Sequence, residues 1–289
     1  MKRTATLAAA ASTAALLMAV AAPASAQTLF GQSGPESWTG PYVGVFGGFT
    51  QQNGQDDERL RFDRNLDGNF GDTVTLATPA GADAFSPGFC DAGANSTTAA
   101  AGCDKDGPGT QGGVRAGYDF QVGSFVVGVV GDYSAANQED SVTGFSTTPA
   151  SYTFTRTLNN LAAVRARVGY AYGPALLYAT GGVARGELEN TFFTSNGANT
   201  FTSRVDEDEA DGYQAGAGVE YFLAPNLSVT GEYLYTSLDA GDNVIRVGQG
   251  SAAATNPFVL APNTTGTDII RSNSKFGLHA FNVGMSYRF

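Results

Sequence analysis

The sequence predicts an all-β chain: an eight-stranded antiparallel transmembrane β-barrel with long extracellular loops, preceded by a cleaved signal peptide. Three observations carry this expectation. The first 26 residues have the make-up of an export signal. The remainder alternates apolar and polar residues with period two, in segments of about ten to fourteen residues. Tight turns and long polar connections then follow one another in alternation, as they do in barrels of the bacterial outer membrane.

The signal comes first. Met1-Lys2-Arg3 is positively charged, Thr4 to Ala22 is an uncharged Ala/Leu-rich stretch, and Ala24-Ser25-Ala26 is a small-residue cleavage site. A retained membrane helix is the alternative, but the small residues and the polar Gln27 favour cleavage. Removing residues 1–26 leaves 263 residues with 14 basic side chains (16 less Lys2 and Arg3) against 27 acidic ones, a net charge of −13. That balance argues against nucleic acid, whose phosphates need a Lys/Arg excess. No further run of about 18 apolar residues follows, so no helix is expected to span a membrane after the signal. A spanning strand needs only ~9–11 residues, half of them facing lipid, so average hydropathy hides it.

Residues 27–40 read as a periplasmic lead-in and 41–289 as the barrel. The expected strands are 41–51, 112–122, 125–137, 159–172, 175–189, 212–223, 227–238 and 275–289. Strands two and three meet at Val122-Gly123-Ser124, four and five at Gly173-Pro174, and six and seven at Ala224-Pro225-Asn226. Between these turns lie long connections at roughly 52–111, 138–158, 190–211 and 239–274. Short turns belong to the periplasmic side and long loops to the extracellular side. An even strand count puts both termini in the periplasm.

Parity assigns the faces. Val43, Val45, Phe49, Val114, Tyr118, Phe120, Phe125, Val127, Val129 and Tyr133 are expected to face lipid. Val164, Val168, Tyr170, Tyr213, Val219, Tyr221, Leu223, Leu227, Val229, Tyr233 and Tyr235 continue the set. Strand five is open in parity, because Leu176-Leu177 offers either choice. The other face collects Arg115, Arg165, Arg167 and Arg288 with Asp119, Asp132, Glu220 and Glu232. A basic group on the lipid side would cost ~2–4 kcal/mol near the midplane, so this segregation has a physical cause. An eight-stranded barrel is just wide enough inside for side chains, so these groups are expected to form a network that plugs the lumen.

The last strand is the most specific segment. Phe281, Val283, Met285, Tyr287 and Phe289 share one face; Asn282, Gly284, Ser286 and Arg288 share the other. With Tyr42-Val43-Gly44, Ala166-Arg167-Val168-Gly169-Tyr170, Tyr178-Ala179-Thr180-Gly181-Gly182-Val183-Ala184, Gly212-Tyr213-Gln214-Ala215-Gly216 and Glu220-Tyr221, it resembles the OmpA-type and opacity-type small outer-membrane barrels. These include the porin-family surface antigens of alphaproteobacteria. The resemblance covers the whole mature chain. It implies location in the cell outer membrane, contact with its lipid, and presentation of the strand ending in Phe289 to the barrel-assembly machinery. A first loop of about sixty residues departs from the pattern. So does the lack of a peptidoglycan-binding domain after the barrel, and cell-wall anchoring is not carried over.

Candidate chemistry is sparse. Cys90 and Cys103 are the only cysteines, and in an oxidising periplasm a disulfide is the natural reading. Two thiols without a nearby histidine do not complete a zinc site. Asp63-Arg64-Asn65-Leu66-Asp67-Gly68 matches the first half of a calcium loop, but Val74 occupies position twelve, where a bidentate Glu belongs. A polar turn capped by Gly68 is the preferred reading. Asp206-Glu207-Asp208-Glu209 with Asp211 reads as a solvated loop tip, the alternative being a divalent-cation site. His279, the only histidine, has no serine nucleophile on its face and no triad spacing.

No catalytic, cofactor-binding or metal-binding residues are therefore assigned, no cofactor is expected, and the chain is read as a non-enzyme. The leading expectation is a structural and surface-interaction protein with a plugged lumen and exposed loops. The alternative is a small porin-like channel; a third, a lipid-processing enzyme, rests on His279 alone.

Overall fold

The computed structural model describes residues 37–53, 58–205 and 208–289. The expected signal peptide 1–26, residues 27–36 of the lead-in, and Asp206-Glu207 of the acidic run lie outside them. Eight long strands dominate: β1 Gly40–Gln52, β2 Gly109–Val122, β3 Phe125–Ser146, β4 Ala150–Tyr172, β5 Ala175–Thr194, β6 Glu209–Ala224, β7 Leu227–Asp239 and β8 Lys275–Arg288. Each pairs antiparallel with the next in sequence, and β8 returns to β1 with Tyr42 opposite Arg288. The sheet is thus closed. That is the condition for strands in lipid, where every backbone N–H and C=O must find its partner within the protein.

The two faces follow the alternation. Val45, Phe49, Val127, Val168, Tyr221 and Val283 stand exposed on the outside, while Arg115, Asp119, Arg165, Glu220 and Glu232 are buried inside. Strand five is settled by Leu176, 0% exposed, and Leu177, 63% exposed. Leu227, Val229 and Tyr235 keep the outward parity but are half-buried. The apolar band ends where charge begins. On the outer surface Arg185 of β5 pairs with Glu209 and, at 3.7 Å, with Asp211 of β6. Such a cluster belongs above the hydrocarbon, where water and headgroups solvate it.

The connections are shorter and more ordered than the sequence suggests. Residues 138–158, expected as a loop, are mostly strand: β3 runs to Ser146 and β4 starts at Ala150. The polar run Asn137-Gln138-Glu139-Asp140-Ser141 resembles a loop, yet Gln138 and Asp140 are buried in a polar cluster above the barrel. The expected loop 190–211 begins inside β5, which continues to Thr194, and contains the short strand Thr200–Val205. The loop 239–274 contains Val244–Gly248 and Thr267–Arg271, and the long loop 52–111 contains Leu60–Asp63. These four short strands form a separate antiparallel sheet in the order 200–205, 244–248, 267–271, 60–63.

That small sheet packs against the extended β3–β4 hairpin. Phe62, Phe85, Val142, Tyr152, Phe154, Ile245 and Ile269 are all buried in one apolar cluster between them. The long connections therefore make a lobe with its own core. Phe85 is at its centre, 4.5 Å from the Phe62 ring and 5.2 Å from that of Tyr152.

Candidate functional site

Viewed from the end of the short turns upward, the bore is filled in layers. The mouth is closed by Trp38, from the segment expected to be a periplasmic lead-in: it is 0% exposed and its ring lies 4.2 Å from that of Phe222. Its backbone N–H donates to Gln121 Oε1 at 2.8 Å, and Arg288 donates to its carbonyl at 2.6 Å. The lead-in thus ends as a plug that joins the barrel.

Above it lie the eight inward charges, in two groups. Arg288 pairs with Asp119 at 2.8 Å and with Glu220 at 3.7 Å, while Arg167 pairs with Asp119 at 3.5 Å and also with Glu220. One layer higher, Arg115 meets Asp132 at 3.1 Å and Glu232 at 2.7 Å, and Arg165 meets Glu232 at 3.3 Å and also Asp132. Four cations face four anions, and each carboxylate is shared by two guanidiniums. Aromatic rings complete the packing: the Arg167 guanidinium sits 3.9 Å from the Tyr178 ring centre, and Arg288 sits 4.7 Å from that of Tyr42. Glycine makes the room. A Cβ at Gly117 would fall 2.5 Å from the Tyr42 ring, and one at Gly218 would fall 2.5 Å from Tyr178 Oη.

The upper bore is apolar, which the expectation of a charged interior missed. Leu158, Leu161, Leu188, Leu234, Leu238, Phe276 and Leu278 fill it in one buried cluster. All but Leu158, which a bulge between Leu158 and Asn160 turns inward, sit at positions whose burial alternation predicts, though not their chemistry.

Over this apolar layer, where barrel meets lobe, lies a third ionic group that sequence reasoning did not find. Arg271 donates to both oxygens of Glu58, at 2.6 and 2.7 Å, and to Asp140 at 2.7 Å. Arg156 lies 3.7 Å from each of these two acids and donates to the Asn273 carbonyl at 2.5 Å. Asp91 completes an acidic trio with Glu58 and Asp140, one carboxylate oxygen of each lying within 4.8 Å of the others. Asp106 accepts from the Ser141 N–H at 2.8 Å. Burial, reinforced by neighbouring acids, pushes both Asp91 and Asp106 up to about 6. The partners come from segments as far as 213 residues apart, so no local motif announces them.

The motifs singled out in the sequence fall as follows. Cys90 and Cys103 form a disulfide, which closes the stretch carrying Asp91. Asp63 accepts from the N–H groups of Asp67 and Gly68 at 3.2 and 2.8 Å, so its carboxylate organises a turn. Glu209 and Asp211 of the acidic run pair with Arg185 on the outer wall. His279 is on the outer face, its Nδ1 2.6 Å from Tyr233 Oη, between the rings of Tyr233 and Tyr235.

Comparison with known proteins places this architecture. A family model described as outer membrane protein beta-barrel domain matches residues 12–289. The 31 kDa outer-membrane immunogenic protein of Brucella melitensis is 32% identical over 191 residues, covering 64% of this chain and 69% of that protein. The 22 kDa outer membrane protein of Rhizobium leguminosarum bv. viciae is 33% identical over 141 residues, covering 49% of this chain and 58% of that protein. Among solved structures, OprG from Pseudomonas aeruginosa aligns over 88% of this chain and 99% of its own, with 12% identity and a TM-score of 0.43.

Proposed function

Because the chain belongs to the outer membrane protein beta-barrel domain family, we propose that its barrel is an inert, filled anchor and that its extracellular lobe is the working surface. The protein is an outer-membrane surface protein. The observation that carries the finer reading is the bore, occupied from Trp38 through two ionic layers to an apolar layer, beneath a lobe with its own core. Function in such a design resides in the loops held by the scaffold.

The partners this reading assigns are outer-membrane lipid around the apolar belt and the barrel-assembly machinery, through the strand ending in Phe289. Nucleic acid is not among them, given the acidic balance of the chain. The reading assigns no catalytic role. The neighbours of His279 are tyrosines rather than a serine nucleophile, so His279→Ala should leave the cell's lipid profile unchanged.

The porin-like alternative is tested by a planar-bilayer recording on monomeric protein. The filled bore should give no steady conductance; a stable, large, ohmic current would overturn this reading.

A further inference from the structure

The small sheet of the lobe has a second face. Phe62 and Ile269 point into the lobe core, so Arg61 and Ile270, one residue along and paired across the strands, belong to the opposite side. There the sheet carries a polar cavity of about 450 Å³, between the 68–71 turn, the 270–274 segment and Asp242. Ile270, 6% exposed, gives it an apolar floor. The turn that walls it is pinned to the sheet. The Asp72 N–H donates to the Phe62 carbonyl at 2.9 Å, and the Gly68 N–H donates to Asp63 at 2.8 Å.

Several groups in this cavity are uncommitted. Arg61 and Asp242 both stand exposed, and neither makes a hydrogen bond or an ion pair among the described residues. They line one cavity without closing on each other, which leaves a donor and an acceptor open to a guest. Arg271 also lines the cavity but is committed to Glu58 and Asp140. Phe70 is half-buried, and its ring stacks on no other ring among the described residues. Ser272 Oγ accepts the Arg59 N–H at 3.1 Å, so its hydroxyl proton is still free to donate, and Ser274 adds a second hydroxyl.

We propose that this cavity binds a neutral pyranose sugar, the terminal residue of a glycan presented to the lobe. The assignment rests on the reading of the lobe as the working surface and names its ligand class. A pyranose carries hydroxyls that both donate and accept, set around a ring with an apolar C–H face. Arg61 supplies only donors and Asp242 only acceptors, and the serine hydroxyls supply both. Phe70 and Ile270 offer apolar surface to the C–H face. An anionic ligand would be repelled by Asp242 and a cationic one by Arg61; a neutral polyol uses both. The volume lies within the usual range of small-molecule sites, about 300–1,000 Å³.

Saturation-transfer NMR on the full-length protein tests this, in an amine-oxide detergent whose headgroup carries no sugar. The probes are the methyl glycosides of glucose, galactose and mannose, with methyl glucuronide as the charged comparison. At least one neutral glycoside should receive saturation, most strongly at its C–H protons. Arg61→Ala and Asp242→Ala should each weaken binding about tenfold, the loss of a hydrogen bond to a charged group. Phe70→Ala should weaken it about fivefold. Arg59→Ala, which removes an exposed neighbouring cation outside the cavity, should change nothing. Heat-modifiable migration and protease resistance of residues 58–106 verify that barrel and lobe are folded in each variant. No transfer to any neutral glycoside, binding unaltered in both Arg61→Ala and Asp242→Ala, or tighter binding of the glucuronide than of every neutral probe would each overturn the assignment. The bilayer recording judges the anchor reading separately. A large current would sink that reading, whereas a silent bore with no sugar bound sinks only this one.

Discussion

Arg115 on β2 donates to Glu232 on β7 at 2.7 Å, a bond that crosses the bore. Glu232 also lies 3.3 Å from Arg165 and accepts from Tyr178 Oη at 3.0 Å, so one carboxylate ties four strands together.

Replacing that carboxylate should therefore be expensive. Glu232→Ala leaves two buried guanidiniums sharing only Asp132, and loss of one partner from a buried ionic group costs ~3–5 kcal/mol. The expected outcome is a lower urea midpoint for unfolding in detergent, read by heat-modifiable gel mobility. An unchanged midpoint would contradict the network described for the bore.

The lobe should fail separately from the barrel. Phe85 is 2% exposed at the centre of the lobe core, and removing a buried phenylalanine ring costs ~3–5 kcal/mol. Phe85→Ala should expose residues 58–106 to proteolysis while boiling-dependent mobility is retained. A variant that loses the mobility shift would show lobe and barrel to be one cooperative unit.

The bridge between Cys90 and Cys103 closes a stretch of chain 13 residues long, worth about 3 kcal/mol on the chain-entropy model. Thiol counting under denaturing, non-reducing conditions should return no free thiol. Reduction, or Cys90→Ser with Cys103→Ser, should speed cleavage within 90–103 without unfolding the barrel.

Acid should tighten the same region. Asp91 and Asp106 are held at about 6 in the docked loop, above the usual 3.8, mainly by burial. Docked carboxylates with raised affinity for protons are penalised when charged. The penalty is present above about pH 6, is relieved as pH falls through that value, and is gone below about 3.8. Asp91 faces Glu58, Asp140, Asp106 and Arg271, and Asp106 faces Asp140, Glu139 and Arg271, with Arg156 beyond them against Glu58 and Asp140, so neighbouring acids reinforce the rise that burial begins. Amide protection of residues 90–106, corrected for intrinsic exchange, should rise between pH 7.5 and pH 5. Asp91→Asn with Asp106→Asn should be protected equally at both; protection that falls on acidification would count against this account.

Most of the wall is legible in the sequence because lipid imposes a strict rule. Val43, Val45, Val127, Val129, Tyr133 and Val168 must all point outward, and a period of two is enough to place them. The inward charges are legible for the same reason, since Arg165 and Arg167 have nowhere else to go. What alternation cannot reveal is depth. Leu161, Leu234 and Leu278 share the inward parity of Arg165, Glu232 and Asn282, and only the fold says which layer each one fills. The upper ionic cluster is hidden for a different reason. Glu58 and Arg271 come from separate connections and Asp140 and Arg156 from the extended β3–β4 hairpin, and outside lipid no single rule governs which polar residues are buried.

The small sheet of the lobe places Leu60–Asp63 beside Thr267–Arg271, segments from opposite ends of the chain. No short peptide contains both, so an antibody raised against the intact cell surface should recognise a composite epitope that synthetic fragments of any single connection fail to reproduce. Leu60–Asp63 follows β1 and Thr267–Arg271 precedes β8, so the strand pairing that closes the barrel also draws the two halves of that epitope together.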